Sequence, residues 1–409
     1  MAEPQLIVQK FGGTSVADFE RRTRVAQIVG AARQEGLKPV VVVSAPGRLG
    51  DAYATDTLLQ LVKKEGGKVP AREQDLLISC GEIISAVVVA AHLRRDGVPA
   101  RALTGPQAGI ETDGRFGDAK ILRVDPSPIS AVLDEGLVPV VAGFQGRTPQ
   151  GDMATLGRGG SDTSAAAIGA ALAASCVDIY TDVDGVKTAD PRIVPEARTI
   201  GALDYDELFQ MAQAGAKVVH PRAVEVARQA RIPLRVRSTL GDEAGTPIGG
   251  PRLLDLWHER KPENTVVGVT DRSDVGEVVV ATPTGSERTA VEARIFSELA
   301  AHGISADMIS VSPGRVAFIV GVGRLEDAGR LLEGLGMVVT TRADVAKVAI
   351  IGSAIAGLPG VMATLVAALV DARVEILATS DSHSSIACLV PADRRVDAVR
   401  ALHRQFHLS

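Results

Sequence analysis

Two stretches of this chain hold the residue types that phosphate and carboxylate chemistry needs. In Leu156-Gly157-Arg158-Gly159-Gly160-Ser161-Asp162, three glycines stand with one arginine and one aspartate, and the alanine-rich run Thr163 to Ala167 follows directly. Glycine lacks the Cβ that would hold a ligand away from the backbone, and serine and aspartate are helix-capping types. The free N–H groups of a first helical turn and the positive end of the helix dipole would favour an anion there. In the second stretch, Lys10-Phe11-Gly12-Gly13-Thr14-Ser15, a lysine and two glycines follow the apolar run Leu6-Ile7-Val8 and precede a segment, residues 18 to 35, with helical periodicity. A buried strand that delivers a lysine to a helix start is a second candidate anion site. Each stretch also has a plainer reading, a capped glycine turn for the first and a solvated strand-end lysine for the second. No GxxxxGK[ST] loop occurs, which disfavours a P-loop ATPase.

The elements that must position these residues alternate between short β-branched runs and helical patterns. Val40 to Val43 ends in Ser44-Ala45-Pro46-Gly47, and a loop leads on to Thr55-Asp56 and a helix. Val138 to Ala142 leads into Gly143-Phe144-Gln145-Gly146, and Val177 to Tyr180 into Thr181-Asp182-Val183-Asp184-Gly185-Val186, with Thr188-Ala189-Asp190-Pro191-Arg192 next. Polar or glycine endings repeated strand after strand are expected where the carboxyl ends of a parallel sheet line one crevice. In the helical run 75 to 91, Glu82 stands among Ile78, Ile83, Ile84 and Val87. A carboxylate so placed needs a cationic partner or ligand. Gly215-Ala216-Lys217-Val218 and the strand Leu234 to Val236 close a first domain, and the glycine and proline cluster from Gly241 to Pro251 reads as a linker.

Beyond Asn264 a strand, loop, helix, strand order occurs twice at a spacing of about 70 residues. Val278 to Ala281, a helix from Thr289 to Ala301 and Ile304 to Met308 form the first copy. Val348 to Ile351, Gly357 to Val361, a helix to Val370 and the strand Val374 to Ile376 form the second. Two small α+β modules packed side by side are implied.

Composition narrows the function classes. The chain has 409 residues, too many for one compact core. Its hydrophobic content is 46% with only 3% aromatic, which describes a Val, Ala, Leu and Ile core of α/β layers. A net charge of -5 gives no global basic surface for nucleic acid. The N-terminus MAEPQLIVQK has neither a basic n-region nor a cleavage pattern, and no run of 18 apolar residues appears, so no membrane partner is expected and the chain reads as cytoplasmic. Cys80, Cys176 and Cys388 lie apart with no CxxC spacing, as reduced core thiols do.

Taken together, Lys10 to Val16, Gly143 to Gly146, Leu156 to Asp162, Thr181 to Val186 and Thr188 to Arg192 resemble the ordered motifs of the aspartate kinases, and the resemblance extends over the whole chain. It implies an α/β amino-acid kinase fold, an open and mostly parallel sheet between helix layers, over residues 1–245. A linker at 246–263 and two ACT modules, at 264–345 and 346–409, would follow. The implied reaction is transfer of a phosphoryl group from ATP, with Mg²⁺, to the side-chain carboxylate of L-aspartate. That carboxylate, with a pKa of roughly 4, needs no general base.

The family pattern makes Lys10 and Asp162 catalytic, with Gly12, Gly13 and Thr14 as ATP loop contacts. It places Thr181, Asp182, Arg192 and Lys217 near the nucleotide, along with Lys187, which stands where the family usually has tyrosine. Around aspartate it places Ser44, Thr55, Glu82, Arg158, Gly159, Gly160 and Ser161, with Arg158 suited to a carboxylate and Glu82 to the α-ammonium. No protein ligand to the metal is implied. ACT modules pair across subunits, so a homodimer or higher homo-oligomer is expected, with threonine or lysine as the implied effector. The modules depart from the family at Glu287-Arg288-Thr289-Ala290, at Val311 and at Ser380-Asp381-Ser382-His383. Two other readings share some of these features: a kinase for another acidic amino acid such as N-acetylglutamate, and a catalytically silent amino-acid sensor.

Overall fold

The computed structural model describes residues 5–66, 69–216, 218–250, 266–353, 355 and 357–409. They fall into two compact units. One holds the described residues up to Val186 with Thr199–Ala212 and residues 218–250; the other holds Lys187–Arg198, Gln213–Ala216 and the residues from 266 on.

The first unit is built on an eight-stranded sheet. From one edge its strands are Leu203–Asp204, Thr246–Gly249, Leu234–Ser238, Cys176–Thr181, Leu6–Phe11, Lys38–Val43, Val138–Ala142 and Ala100–Leu103. Every neighbouring pair is parallel except Leu234–Ser238 with Thr246–Gly249. A parallel strand is covered on both faces and therefore reads as a continuous apolar run. Val40 to Val43 show this directly, with all four side chains fully buried. Thr246–Gly249 lies inside this sheet, so the expected linker from residue 246 is corrected: a short strand containing proline and glycine looks like a connection until its pairing partner is known.

The chain runs outward from Leu6–Phe11 to one side through Lys38–Val43, and later places Cys176–Thr181 on the other side. Such a reversal of direction opens a crevice at the carboxyl ends of the central strands. Two helices flank it. Gly160–Ala171 buries nearly every residue, because its small side chains let it lie close to the sheet. Ala71–Arg95 has the length and composition to cross a membrane, but 56% of its most apolar window is buried inside the protein, with Asp75, Glu82 and His92 among its buried residues. A smaller four-stranded sheet, Ile121–Val124, Ile110–Thr112, Gln145–Arg147 and Met153–Thr155, leads the chain into Leu156.

The second unit contains two four-stranded antiparallel sheets, each with two helices. One module runs from Val275–Ala281 to Val339–Arg342 and buries Val278, Val280, Ile295, Leu299, Phe318 and Leu332. The other begins at Val345–Ile351 and ends with helix Arg395–Gln405, and its edge position is filled by Gly268–Arg272, from ahead of the first module. The first module is thus inserted within the second, which corrects the expected boundary at 264: one strand pairs according to long-range register that no local pattern reports. The strand expected at Val374 to Ile376 begins instead at Ala378; Val374 is a buried loop residue whose N–H donates to Leu369 O. Lys187–Arg198 also belongs to this unit rather than to the first, with Ala189, Ile193 and Val194 in the core beside Val399 and Leu402.

Candidate active site

Parallel register puts the ends of four strands level. Phe11 pairs with Val43 and with Tyr180, and Val43 pairs with Ala142. The next residues continue the row: Gly12 N–H donates to Tyr180 O (3.2 Å), Ser44 N–H to Phe11 O (3.2 Å) and Gly143 N–H to Val43 O (3.0 Å). Lys10, on the central strand of this row, is buried, and its Nζ lies 2.7 Å from Asp162 Oδ1. The pairing rules out the solvated-lysine reading. Asp162 sits in the first turn of Gly160–Ala171, where the helix dipole favours its negative charge, and its other oxygen accepts the His220 N–H at 3.4 Å. His220 caps helix Pro221–Ala230 by accepting from Arg222 N–H, and burial is the main cause that lowers its pKa.

Two pairs of backbone N–H groups at this edge have no acceptor among the described residues. In the first loop, Gly12, Ser15 and Val16 donate to backbone oxygens, which leaves Gly13 and Thr14. In the second, Gly160 donates to Gly157 O and Thr163 to Gly159 O, which leaves Ser161 and Asp162. Unpaired donors of this kind, with a cation between the loops, form an anion cradle.

The glycines have a second reason besides ligand approach. A Cβ on Gly13 would lie 2.5 Å from Ala45 O, and Gly159, at φ +69°, would drive one to 2.1 Å from the Cβ of His220. Both contacts are between loops, so these residues hold the Lys10, Ser44 and Ser161 segments against their neighbours at spacings that side chains forbid.

On the acceptor side, Glu82 is 2% exposed. Its Oε1 accepts Ala45 N–H at 3.1 Å, while Oε2 has no partner among the described residues. Burial pushes its pKa up to about 8, against the lowering effect of the Ala45 and Glu82 backbone N–H groups. Thr55 begins helix Thr55–Lys64, and Tyr53 O just ahead of it lies against Gly81, beside Glu82. Ser161 is buried, and Arg158 is exposed with no ion-pair partner among the described residues. Thr181 ends its strand, and Asp182 pairs with Arg48 of the Ser44–Thr55 loop at 2.7 Å; both partners of this pair are exposed. Lys187 and Arg192 belong to the second unit, where Arg192 forms a 2.6 Å ion pair with Asp190. Lys217 lies outside the described residues.

Sequence reasoning missed Asp75. This fully buried carboxylate accepts Thr155 N–H (2.8 Å), Thr155 Oγ1–H (2.8 Å) and Gly117 N–H (2.9 Å), and so fixes the strand that leads into Leu156 to Asp162. Only its position on the apolar helix hinted at a role. Asp75→Ala strands these donors and is expected to cost about 3 kcal/mol of stability. Urea unfolding measures this loss, and a change below about 0.5 kcal/mol would show that the anchor is dispensable.

A parallel sheet that brings a lysine, an aspartate and two glycine loops to one carboxyl edge is the build of an amino acid kinase. The amino acid kinase family model matches residues 5–238, and an ACT domain model matches residues 340–404. Within that class the chain belongs to the aspartokinase family. It is 44% identical to aspartokinase 1 of Bacillus subtilis over 410 residues, 99% of this chain and all of that one, and 40% identical to an aspartokinase of Thermus thermophilus, covering 98% of this chain and 99% of the relative. Among solved structures, E. coli aspartokinase III in complex with aspartate and ADP (R-state) superposes with a TM-score of 0.81 at 27% identity, over 98% of this chain and 99% of that one. The same enzyme in complex with lysine and aspartate (T-state) covers the same shares with a TM-score of 0.72.

Proposed function

We infer that this chain transfers the γ-phosphoryl group of ATP to the side-chain carboxylate of L-aspartate, giving ADP and 4-phospho-L-aspartate. The observation that carries the reading is the buried Lys10–Asp162 pair set between two loops with unpaired N–H groups. A carboxylate oxygen attacks the γ-phosphorus while the bond to the β,γ-bridging oxygen breaks. No proton has to be removed, and the difficulty is the approach of two anions. Positioning and fixed positive charge therefore supply the catalysis.

In this reading Lys10 offsets the charge on the transferring group, and Asp162 holds its ammonium in place. Gly13, Thr14, Ser161 and Asp162 donate N–H groups, with Gly12 and Gly160 shaping the turns. Arg158 takes the aspartate α-carboxylate, Glu82 its ammonium, and Ser44, Thr55 and Gly159 line that pocket. Thr181, Asp182, Lys187, Arg192 and Lys217 serve the nucleotide. Mg²⁺ bound to the nucleotide would neutralise part of the phosphate charge. Among the described residues no group of three or more His, Cys, Asp or Glu stands ready to hold a metal.

The edge strand Asp307–Ser312, exposed at five of its six residues, supports pairing of the modules between chains, giving a homodimer or higher homo-oligomer, and threonine or lysine is the proposed effector. A cytoplasmic location goes with this chemistry. A coupled ADP-release assay with aspartate and with N-acetylglutamate, repeated with threonine, lysine and both, tests the reading. Turnover with aspartate alone is expected, and turnover with N-acetylglutamate only, or with neither, would overturn it.

A further inference from the structure

Within the first unit, the start of helix Phe19–Gln34, the middle of helix Ala71–Arg95 and the loop between Ser44 and Thr55 enclose a cavity of about 520 Å³, inside the usual size range of small-molecule sites. None of the residues assigned above to aspartate or to the nucleotide lines it. Val16, Ile84, Val88 and Val89 give it an apolar wall, and Asp18, Arg21, Arg22 and Asp51 bring four charges to it. Three of the four are engaged already: Arg21 pairs with Asp18 at 3.4 Å, and Asp51 accepts the Arg48 N–H at 2.8 Å. Arg22 differs. Its Nη1 donates to Val16 O at 2.9 Å, but its Nε is buried without an acceptor, and no carboxylate pairs with it among the described residues. On helix Ala71–Arg95, Ser85 is 2% exposed, and its Oγ also has no partner among the described residues. Buried polar groups are normally paired, so a guanidinium and a hydroxyl left open on one cavity call for a ligand. Tyr53, which lines the same cavity, is held at φ +68°, a conformation that is costly for a bulky residue and recurs where ligands are clamped.

We propose that this cavity is a second small-molecule site, distinct from the aspartate pocket, for a carboxylate carried on an apolar body. Arg22 takes the carboxylate, Ser85 adds a hydrogen bond, and the wall of Val16, Ile84, Val88 and Val89 takes the alkyl part. The head group follows from charge: an arginine without a carboxylate partner matches a carboxylate in two parallel N–H bonds. The carboxylates of Asp18 and Asp51 on the same cavity repel a dianion, so a phosphate ester fits less well. The body follows from the wall, which gains only by covering apolar surface. L-Aspartate, charged at both ends, leaves that wall uncovered.

The test is calorimetric titration of the full-length protein with hexanoate, which is expected to bind with a dissociation constant on the order of 1 mM, the scale open to so few atoms. Hexanol keeps the body without the charge, and sulfate keeps a charge without the body; each should bind at least roughly tenfold more weakly. Arg22→Gln should weaken hexanoate binding about tenfold, and Arg22→Lys, which keeps the charge, should recover part of the loss. Ser85→Ala should weaken it about fivefold and serves if Arg22→Gln does not fold, as its melting temperature would show. The Arg22-dependent binding of L-norleucine separates two sources of the same chemistry. Tighter binding than hexanoate identifies an amino acid whose ammonium meets Asp18 or Asp51, weaker binding identifies a simple carboxylic acid, and both uphold the site. Saturating L-aspartate should leave hexanoate binding unchanged. No binding of hexanoate, equal binding by the wild type and the Arg22→Gln and Ser85→Ala variants, or displacement of hexanoate by L-aspartate would overturn the proposal.

Discussion

Lys10→Ala is expected to lower kcat by about three orders of magnitude, the usual scale for removing one preorganised charge aimed at a developing anion. The expectation follows from placement. The Lys10 ammonium is buried and held at 2.7 Å from Asp162, between the Gly13–Thr14 and Ser161–Asp162 donors, so no solvent cation takes over its place at low cost. The substitution also leaves Asp162 as an uncompensated carboxylate in a confined site, which costs stability as well as rate. Melting temperature and aspartate affinity must therefore be measured alongside kcat. A folded Lys10→Ala enzyme that binds aspartate and turns over within tenfold of wild type would remove Lys10 from the reaction.

The second large effect concerns Glu82. It has one oxygen unpartnered in a buried setting, and in the proposed reading the substrate ammonium meets it there and favours its ionised form. Glu82→Gln is expected to raise the KM for aspartate about 100-fold, in line with loss of one partner of a buried charge pair, while kcat changes by a few-fold at most. The pH dependence has a definite sign. The carboxyl pKa in the apo protein is raised to about 8 from 4.5, so ammonium binding selects the ionised form and releases a proton. The KM for aspartate should then fall about tenfold from pH 6 to pH 7 and level off above pH 8, and Glu82→Gln should abolish that slope. Without substrate the same shift stabilises the fold at low pH, and this contribution is lost as pH rises from about 4.5 to 8. A KM for aspartate that is flat from pH 6 to 8 in the wild type would show that Glu82 does not meet the ammonium.

The parts of this architecture that could be read from sequence are those dictated by local periodicity and by residues of unusual type for their setting. Val40 to Val43 reads as a strand and is buried on both faces, and the apolar neighbours of Glu82 point to the core, where it lies. That the loops after several strands share one edge was legible from their polar or glycine endings, whereas the pairing of Lys10 with Asp162 came only from the family resemblance. What stayed hidden depends on partners far away in the chain. Asp75 looks like an ordinary helix-start carboxylate until Gly117 and Thr155 are brought to it across 42 and 80 residues. Thr246–Gly249 looks like a linker until it pairs with Leu234 to Val236, and Gly268–Arg272 looks like the start of one module until it pairs with Val345–Ile351 of the other. The strip Lys187–Arg198 carries no composition signal of its own, and only the burial of Ala189, Ile193 and Val194 assigns it to the second unit. At Gly13 and Gly159 the sequence suggested room for a ligand, whereas the glycines also answer to the close packing of neighbouring loops.

The most direct test of the central claim is to trap the product. Wild-type protein incubated with ATP, Mg²⁺, L-aspartate and hydroxylamine should form aspartyl hydroxamate in a one-to-one ratio with ADP, because an acyl phosphate is the only product that hydroxylamine intercepts here. ADP release without hydroxamate, or hydroxamate formed at the wild-type rate by Lys10→Ala, would contradict the claim that this sheet edge uses a buried lysine to bring two anions together for phosphoryl transfer.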